Sequence, residues 1–544
     1  MTDVPEAQAP SAQPASALSA LAPLSTPAFR LLWLAGLISN TCLWLNDVAA
    51  AWLMTTLTTS PVIVALVSSA ATLPMFLLGL PSGAIADIVD RKRYLLTTQI
   101  WVGSVAIVTA LAVATGFINA TLLLVLTFLN GAGLAMRLPV MAAIVPTLVT
   151  RAELPSALAL NGVAMNASRI IGPGLAGAII AAAGSTYVYI LNAVLAMIAG
   201  VLILRWKHEP THTSALPGER FLGAMRVGVQ YVRQSHRMRV VLLRVMLFFV
   251  QSSALMALLP LLARRMHGES AGAFAALLAA MGAGAIAAAL VMPRLRMRYS
   301  PDQMMRRGSL VHAAASITVA FSPNLWVAVP AMFFAGTAWL GVANSLSISA
   351  QLALPDWVRA RGMSIYQMSL MGSSAIGAAL WGQVADFTGV PASVIIGSCA
   401  GVLAMLLMRH VTLSDASVDD LTPHRTWVPP VSAVPLEPGD GPVLVTIEYF
   451  IEPDTIDEFK AVMEQSRRTR LQHGALAWEL FRDSADPRRW IEYFIDESWV
   501  EHLRRFDRVT ASDVALRERR LAFHVGERPP VVSRFVAQRL RGQG

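Results

Sequence analysis

Residues Gly83 to Arg93 read GAIADIVDRKR and form a charged turn between two long apolar stretches. The neighbouring stretches, near 61–83 and 94–115, are each long enough to cross a bilayer, which takes about 20 helical residues. Similar stretches follow one another over roughly the first three quarters of the chain. The sequence therefore predicts a polytopic membrane protein, and the acidic and basic residues of this turn narrow its class.

The composition agrees with a membrane protein. Of the 544 residues, 55% are hydrophobic and 14% are charged, whereas soluble proteins have about 25% charged residues. The net charge is +9, but most of the excess arginine lies in short turns, where it orients helices in a bilayer. We therefore expect the excess basic residues to interact with a lipid bilayer and not with a nucleic acid. Both cysteines, Cys42 and Cys399, fall inside apolar stretches, so we expect no disulfide framework, no metal site and no cofactor.

Twelve membrane spans are predicted, and basic residues cluster in the turns after the even-numbered ones, with Arg264 and Arg265 as an exception after the seventh. The positive-inside rule then places both termini in the cytoplasm of an inner-membrane, multi-pass protein. The spans lie near 29–56, 61–83, 94–115, 120–145, 156–183, 186–206, 238–263, 271–293, 303–321, 325–350, 360–385 and 390–408.

The spans form two groups of six that look like copies of each other. Gly172 and Gly177 in the fifth span match Gly377 and Gly382 in the eleventh at one constant offset. Such parallel repeats are typical of a large transporter class. The predicted domains are a disordered tail over 1–28, a six-helix bundle over 29–206, a cytoplasmic linker over 207–237, a second bundle over 238–410 and a linker over 411–442.

The last part of the chain, over 443–540, has a different composition and an alternating pattern. Its predicted order is strand, helix, strand, strand, helices and a final apolar run, with strands near 443–451, 477–482 and 489–495. This order predicts a small ferredoxin-like α+β domain in the cytoplasm. His473, Trp478, His502 and His524 are its reactive-looking side chains, and their spacing fits no metal template.

The turn has the form G-x-x-x-D-x-x-D-R-K-R, which resembles the loop motif of the major facilitator superfamily. Asp90 replaces the family's usual glycine, as in the branch similar to the enterobactin exporter, and the stretches 27–40 and 352–367 resemble the same branch. The resemblance covers about residues 27–410 and implies a twelve-helix, all-α membrane fold in two halves that works by alternating access.

The turn also contains candidate residues for a gate. An acidic side chain at a helix end can accept hydrogen bonds from the start of a neighbouring helix or from an arginine, and such bonds would hold the two halves together. The motif residues assigned to this gate are Gly83, Asp87, Asp90, Arg91 and Lys92. The alternative is that the basic residues only fix topology.

Residues 168–177 read SRIIGPGLAG and resemble the glycine-proline motif of the superfamily's antiporters. Gly172, Pro173 and Gly177 match the motif, and Ser168 stands in place of its first glycine. The resemblance implies export. The alternative is an ordinary packing face of small residues.

The superfamily lines its central cavity with the first, fourth, seventh and tenth spans, and each carries two polar residues seven positions apart. Seven residues make about two helical turns, so each pair shares a helix face. The pairs are Asn40 and Asp47, Asn130 and Arg137, Arg244 and Gln251, and Thr337 and Asn344. Trp44, Phe248 and Trp339 are aromatic candidates for contact with an amphipathic molecule.

Asp47 is the one acidic residue well inside an early span. An ionisable group near the bilayer centre costs at least about 2.5 kcal/mol, so it indicates a functional role. We predict that Asp47 takes up the coupling proton, with Arg137 or Arg244 as counter-charge; alternatively it is a structural partner of an arginine or is hydrated. Arg169 could equally pair within its own half.

The sequence thus predicts a proton-coupled exporter of small amphipathic organic molecules, such as drug-like compounds or siderophores. The C-terminal domain resembles the antibiotic-biosynthesis monooxygenase fold, whose members often dimerise, and fold resemblance does not confer activity. We expect a regulatory or dimerising module and not an enzyme. Two alternatives stay open: an oxygenase-like C-terminal domain that acts on the cargo, and a membrane scaffold without transport.

Overall fold

The computed structural model describes residues 21–88, 90–150, 153–206, 221–266, 271–412, 420–422, 424, 430 and 432–538. Twelve long helices, one for each predicted span, form the larger part of this structure. They are α1 (Pro27–Leu57), α2 (Pro61–Ile88), α3 (Arg91–Ala114), α4 (Ala120–Leu148), α5 (Leu154–Ala183), α6 (Ser185–Arg205), α8 (His236–Arg265), α9 (Ala271–Arg298), α10 (Pro301–Phe321), α11 (Leu325–Leu352), α12 (Asp356–Thr388) and α13 (Val390–Leu407). A shorter helix, α7 (Phe221–Gln234), joins the two sets of six.

Ten of the described helices are long and apolar enough to cross a membrane. The other two of the twelve, α10 and α12, are richer in polar residues and pack among their neighbours. The predicted all-α membrane fold is confirmed, and the predicted helix ends agree with the structure to within a few residues.

The helix ends follow local sequence signals. Asn119 caps α4 by accepting from the amide of Leu122 at 2.9 Å, which satisfies a free N–H group of the first turn. Gly184 ends α5 with φ of 94°, and Gly389 ends α12 with φ of 88°. Residues with side chains rarely adopt this backbone conformation. These two glycines occupy the same position in their six-helix halves, so the repeat extends to the turns.

The two halves meet mainly through α2 with α12 and α5 with α9. Ser69 of α2 donates to the carbonyl of Ala375 of α12 at 2.7 Å. Near the start of α2, a Cβ atom at Gly382 would lie 2.6 Å from Cβ of Ala65, so the two helices are in close contact there. Small residues at such positions let helix backbones approach each other in a membrane.

Two stretches that the sequence assigned to a tail and a linker contain helical structure. Ala22–Ser25 form a 3-10 helix and α1 begins at Pro27, inside the predicted tail, of which residues 1–20 lie outside the described residues. Within the predicted linker 207–237, α7 packs against the C-terminal domain and against α12. Its apolar residues are buried on one face, with Val227 and Tyr231 almost fully covered. Residues 207–220 lie outside the described residues.

The C-terminal domain consists of a four-stranded antiparallel sheet with helices packed on one face. Its elements are β1 (Val443–Phe450), α14 (Ile456–Gln472), β2 (Ala477–Arg482), β3 (Arg489–Asp496), α15 (Trp499–Asp507), α16 (Ala511–Leu521) and β4 (Val532–Val536). The strand order is β2-β3-β1-β4, and in register Val443 of β1 lies opposite Asp496 of β3 and Val536 of β4. This is the strand order that the ferredoxin-like α+β prediction requires.

Candidate functional site

The halves are joined on the side of the membrane domain where α1 ends, which we call the far side. Arg264 of α8 donates to the carbonyl of Thr55 of α1, and its guanidinium lies 5.6 Å from the ring centre of Trp52. The ring of Trp52 in turn stacks on that of Phe274 of α9, with the ring centres 6.3 Å apart. The sequence pattern treated Arg264 only as an exception to the charge rule, whereas the structure gives it a contact between the halves.

The opposite side, where α1 begins, carries the C-terminal domain, and we call it the domain side. The large buried apolar cluster that draws on both halves includes Leu45 and Trp52 of α1 and Leu258 of α8. Among the described residues, the clusters nearer the domain side belong to one half each, one around Leu95 and another around Val241. The far side is therefore the side on which the halves share a core.

Arg169 lies at the middle of α5 between two indole rings, one from each half. Its guanidinium carbon is 5.3 Å from the ring centre of Trp44 on α1 and 4.4 Å from that of Trp339 on α11. Trp339 is held by an edge-to-face contact with Phe249 of α8 at 5.6 Å. All three of Arg169, Trp44 and Trp339 lie about halfway along their helices. We call these three residues the central arginine site.

Small residues on α5 and α9 make this arrangement possible. A Cβ atom at Gly172 would lie 2.4 Å from Cβ of Trp44, so only glycine lets α5 and α1 approach this closely. A Cβ atom at Gly282 of α9 would lie 3.0 Å from the Ile170 side chain. Gly172, Pro173 and Gly177, the residues assigned to the antiporter motif, are all buried on α5. The motif therefore packs α5 one turn away from Arg169.

The predicted polar residues of α1 and α4 come together. Arg137 donates to the side-chain oxygen of Asn40 at 2.8 Å. Arg137 and Asn130 line one small cavity between α1, α3 and α4, together with Gln99. Asn130 and Arg137 thus lie on one face of α4, and their contact with cargo stays a prediction.

Arg244 and Gln251 also share a face of α8, but the face points at α10 and α13 within the second half. Arg244 forms an ion pair with Asp302 at 2.7 Å, and both line a cavity of about 220 Å³ with Gln251.

The predicted polar residues of α11 lie apart from this cavity. The hydroxyl of Thr337 donates a hydrogen bond to the carbonyl of Gly284 at 3.0 Å, which joins α11 to α9. Asn344 is half-buried on α11.

Asp47 is not paired with either predicted counter-charge among the described residues. Its Oδ1 atom is buried without a hydrogen-bond donor, and the hydroxyl of Tyr189 and the side-chain nitrogen of Asn46 are likewise buried without partners. Buried polar groups are normally hydrogen-bonded, so an unpaired set of them is unusual. In this structure Arg137 binds Asn40 and Arg244 binds Asp302.

Asp90, where the superfamily has glycine, is the N-cap of α3. Its carboxylate accepts from the amide of Arg93 at 2.8 Å, the contact by which aspartate stabilises a helix start. Arg91 and Lys92 are half-buried in the first turn. The burial of Gly83 and the side chain of Asp87 lie outside the part of the chain that the structure describes, so their part in the gate stays a prediction.

In the C-terminal domain, Glu492 is fully buried beneath the helices. Its carboxylate accepts hydrogen bonds from five side chains: Tyr449, Ser466, Arg470, Trp478 and Arg520. Burial alone would raise the pKa of Glu492, but the guanidinium groups of Arg470 and Arg520 outweigh it and lower that pKa to about 2. The group is thus an internal ion cluster in which two guanidinium groups compensate the charge of Glu492.

The reactive-looking side chains of this domain are engaged in internal contacts. His502 binds Asp496 at 2.9 Å, and His524 accepts from the amide of Phe450 at 3.0 Å. His473 lies 3.4 Å from Asp513, and Trp478 donates to Glu492. Burial would raise the pKa of Asp496, yet the nearby Arg505 guanidinium and His502 lower it.

Comparisons with known proteins agree with this architecture. The family model described as transmembrane secretion effector matches residues 18–541. The staphyloferrin A transporter of Staphylococcus aureus (strain NCTC 8325 / PS 47) is 24% identical over 353 residues, which cover 64% of this chain and 87% of that protein. The uncharacterized MFS-type transporter YfiS of Bacillus subtilis (strain 168) is 24% identical over 358 residues, which cover 64% of this chain and 84% of that protein.

Solved structures share the fold of the membrane domain. A bacterial homologue of the human lysosomal transporter Spinster, inward-facing and unoccupied, has a TM-score of 0.59 at 15% identity, covering 71% of this chain and 97% of its own. The nucleoside transporter NupG has a TM-score of 0.58 at 14% identity, covering 71% of this chain and 98% of its own. The chain therefore belongs to the transmembrane secretion effector family of major facilitator superfamily transporters.

Proposed function

We propose that the protein exports small amphipathic organic molecules from the cytoplasm across the inner membrane by alternating access. The central arginine site carries this proposal: it lies about halfway along α1, α5 and α11 and is built from both halves. The halves share a core on the far side, as they do in one state of an alternating-access cycle. The staphyloferrin A transporter among the relatives supports siderophores as one class of cargo.

The charges of the turns support the proposed orientation. Arg91, Lys92 and Arg93 at the start of α3, and Arg306 and Arg307 near the start of α10, lie towards the domain side. Because basic residues favour the cytoplasm, the domain side and both termini are assigned to the cytoplasm. With the far side closed by the contacts of Arg264 and Trp52, we propose that this state takes up cargo from the cytoplasm for export.

Proton antiport through Asp47 is the proposed coupling. An ionised carboxylate at this buried position would lack a hydrogen-bond donor for Oδ1, which costs several kcal/mol in a medium of low polarity, and protonation removes that cost. Proton uptake and release at Asp47 would therefore accompany the opening and closing of its surroundings.

The C-terminal domain is proposed to bind a second copy of itself through the open face of its sheet. That face carries Phe481 and Tyr493, whose rings stack at 5.5 Å, and Phe535, which is 55% exposed. The helices cover the opposite face. An exposed group of large apolar side chains on a sheet is typical of an interaction surface.

Efflux of a panel of drug-like compounds and siderophores, at two external pH values, tests the transport proposal. The cells express the wild type, Asp47→Asn, or Asp386→Asn, which changes an exposed carboxylate at the far-side end of α12 and serves as control. We expect the wild type and the control to export with the same pH dependence and Asp47→Asn to lose that dependence. A wild type that lowers accumulation no more than empty vector contradicts export. Unchanged pH dependence in Asp47→Asn contradicts the coupling alone.

A further inference from the structure

We propose that the cargo is an anion and that Arg169 binds its acidic group, a carboxylate or a phosphate. This inference rests on the proposed export function and narrows its cargo class. The positively charged guanidinium of Arg169 supplies the charge, and Trp44 and Trp339 supply apolar surface on either side of it.

The contacts of Arg169 leave its hydrogen-bonding edge available. The two indoles interact with the guanidinium as a cation on an aromatic surface, and such contacts do not consume its N–H donors. Among the described residues the side chain of Arg169 forms no hydrogen bond or ion pair, and it is only half-buried. The planar fork of donors matches the two oxygens of a carboxylate or phosphate.

The charge balance of the membrane domain favours an anionic ligand. A cation near the middle of a membrane span is costly unless an opposite charge or water compensates it. Arg244 has such a partner in Asp302, whereas Arg169 has only the two tryptophan rings among the described residues. A bound anion would supply the missing opposite charge, and a cation of the same size would be repelled.

The site also lies where the two halves can respond to a ligand. Trp44 and Arg169 belong to the first half, and Trp339 belongs to the second. When the halves move apart at this level, the contact of 4.4 Å between Arg169 and Trp339 must change. A ligand held by both halves has different affinities for the two states, which is what couples its binding to the conformational cycle.

Transport of two dyes with one scaffold and opposite charge tests the inference. Fluorescein is an anionic xanthene dye and rhodamine 123 is a cationic one. The purified full-length protein in liposomes should move fluorescein faster than rhodamine 123. Arg169→Gln should lower fluorescein flux by about tenfold, the loss expected for one ionic hydrogen-bonded contact, without lowering rhodamine 123 flux. Arg169→Lys keeps the charge and should retain part of the fluorescein flux.

Arg307→Gln is the matched control. Arg307 is exposed near the start of α10, away from the central arginine site, and its guanidinium carbon lies 3.8 Å from the ring centre of Tyr299. This variant should transport both dyes as the wild type does. Fluorescence anisotropy of fluorescein with the detergent-purified variants measures binding separately from transport, and Arg169→Gln should bind it about tenfold more weakly.

A wild type that prefers rhodamine 123, or an Arg169→Gln variant that binds fluorescein as the wild type does, overturns the inference and leaves export intact. Equal losses of both dyes in a folded Arg169→Gln variant also overturn it, since they indicate a structural role. Flux of neither dye above that of protein-free liposomes contradicts both the anionic cargo and the proposed export of such molecules.

Discussion

Arg226 of α7 forms an ion pair with Glu497 at 2.7 Å, which links the connection between the two halves to the C-terminal domain. Beside it, Gln230 donates to the carbonyl of Ala475 at 2.7 Å. Trp357 at the start of α12 contacts the same domain, with the Arg508 guanidinium 5.0 Å from its ring centre. The domain therefore touches both the connection between the halves and a helix of the second half, so its position can depend on the state of the transporter.

Charge reversal at this link should loosen the domain. The two side chains are about a third exposed, at 36% and 32%, so the pair itself contributes only about 0.5 kcal/mol. In Arg226→Glu the attraction becomes repulsion, and hydrogen exchange of the α7 amides should become faster. The double variant Arg226→Glu with Glu497→Arg should restore slow exchange. Arg233→Glu, an exposed change on the same helix, should leave exchange as in the wild type. No recovery in the double variant would mean that the ion pair does not hold the domain.

The far-side contact of Arg264 should favour the state in which that side is closed. Arg264→Gln removes a charge-assisted hydrogen bond to Thr55 and the contact with Trp52, together worth about 1.5–3 kcal/mol. The population open on the far side should rise by about tenfold or more. Spin labels at Thr59→Cys and Thr388→Cys, one in each half, in a Cys399→Ser background, measure the distance across this side.

The neighbouring residue Arg265 provides the control, because it is exposed. Arg265→Gln should give the wild-type distance distribution. Identical distributions in Arg264→Gln and the wild type would show that apolar packing alone closes the far side.

The positions of the twelve long helices could be predicted because a bilayer imposes a minimum apolar length and because charged or glycine-rich turns interrupt the spans. Helix α7 could not be predicted in the same way. It has only 14 residues. Tyr231 and Val232 on its apolar face are buried among residues of the second half, such as Val358, while Arg226 and Gln230 contact a domain whose residues lie more than two hundred positions later in the chain. Sequence pattern alone does not identify such a distant partner.

The site was predictable in part. Asn130 and Arg137 are seven residues apart and line one small cavity, but spacing within one helix does not say that Arg137 contacts Asn40 on another helix. The same spacing placed Arg244 on one face with Gln251, but it could not say that this face meets Asp302, which lies in the first turn of α10, one residue before the span predicted from the sequence. The sequence did indicate Arg169 as a charged residue within a membrane span. The second tryptophan beside it comes from the other half, and no sequence periodicity relates α5 to α11.

The buried ion cluster of the C-terminal domain should make the domain sensitive to acid. The pKa of Glu492 is about 2 in the folded domain, below its ordinary value of 4.5. A lowered folded pKa gives stability that is fully present above about pH 4.5 and is lost as the pH falls towards 2. Hydrogen exchange of the β3 amides in the full-length protein, corrected for the intrinsic effect of pH, should therefore become faster across this window.

Glu492→Gln should destabilise the domain by about 3–5 kcal/mol at pH 7, because Arg470 and Arg520 then lose their buried counter-charge. The substitution should also weaken the pH dependence of the domain's stability. The pH dependence that remains is due to Asp496, whose pKa in the folded domain is lowered too. Glu479→Gln, an exposed change on β2, is the control and should match the wild type. A variant at Glu492 with wild-type stability and pH dependence would contradict the assigned role of the cluster.

Gly172 and Gly174 differ by two positions on α5 and allow the packing of the antiporter-type motif to be tested within one helix. A Cβ atom at Gly172 would lie 2.4 Å from Cβ of Trp44, whereas nothing lies within 4 Å of a Cβ atom at Gly174. Gly172→Ala should therefore push α5 away from α1 and cost about 1–3 kcal/mol of overpacking. Gly174→Ala should be neutral or slightly stabilising, since alanine favours helix by about 1 kcal/mol over glycine.

Thermal unfolding of the two variants in detergent, followed by tryptophan fluorescence, measures this difference. Because Gly172 lies one turn from Arg169, its substitution should also displace Trp44 from the guanidinium and weaken fluorescein binding, while Gly174→Ala binds as the wild type does. Equal unfolding temperatures for the two variants would mean that α5 can shift without penalty. In that case the small residues of the motif serve some need other than the close contact of α5 with α1.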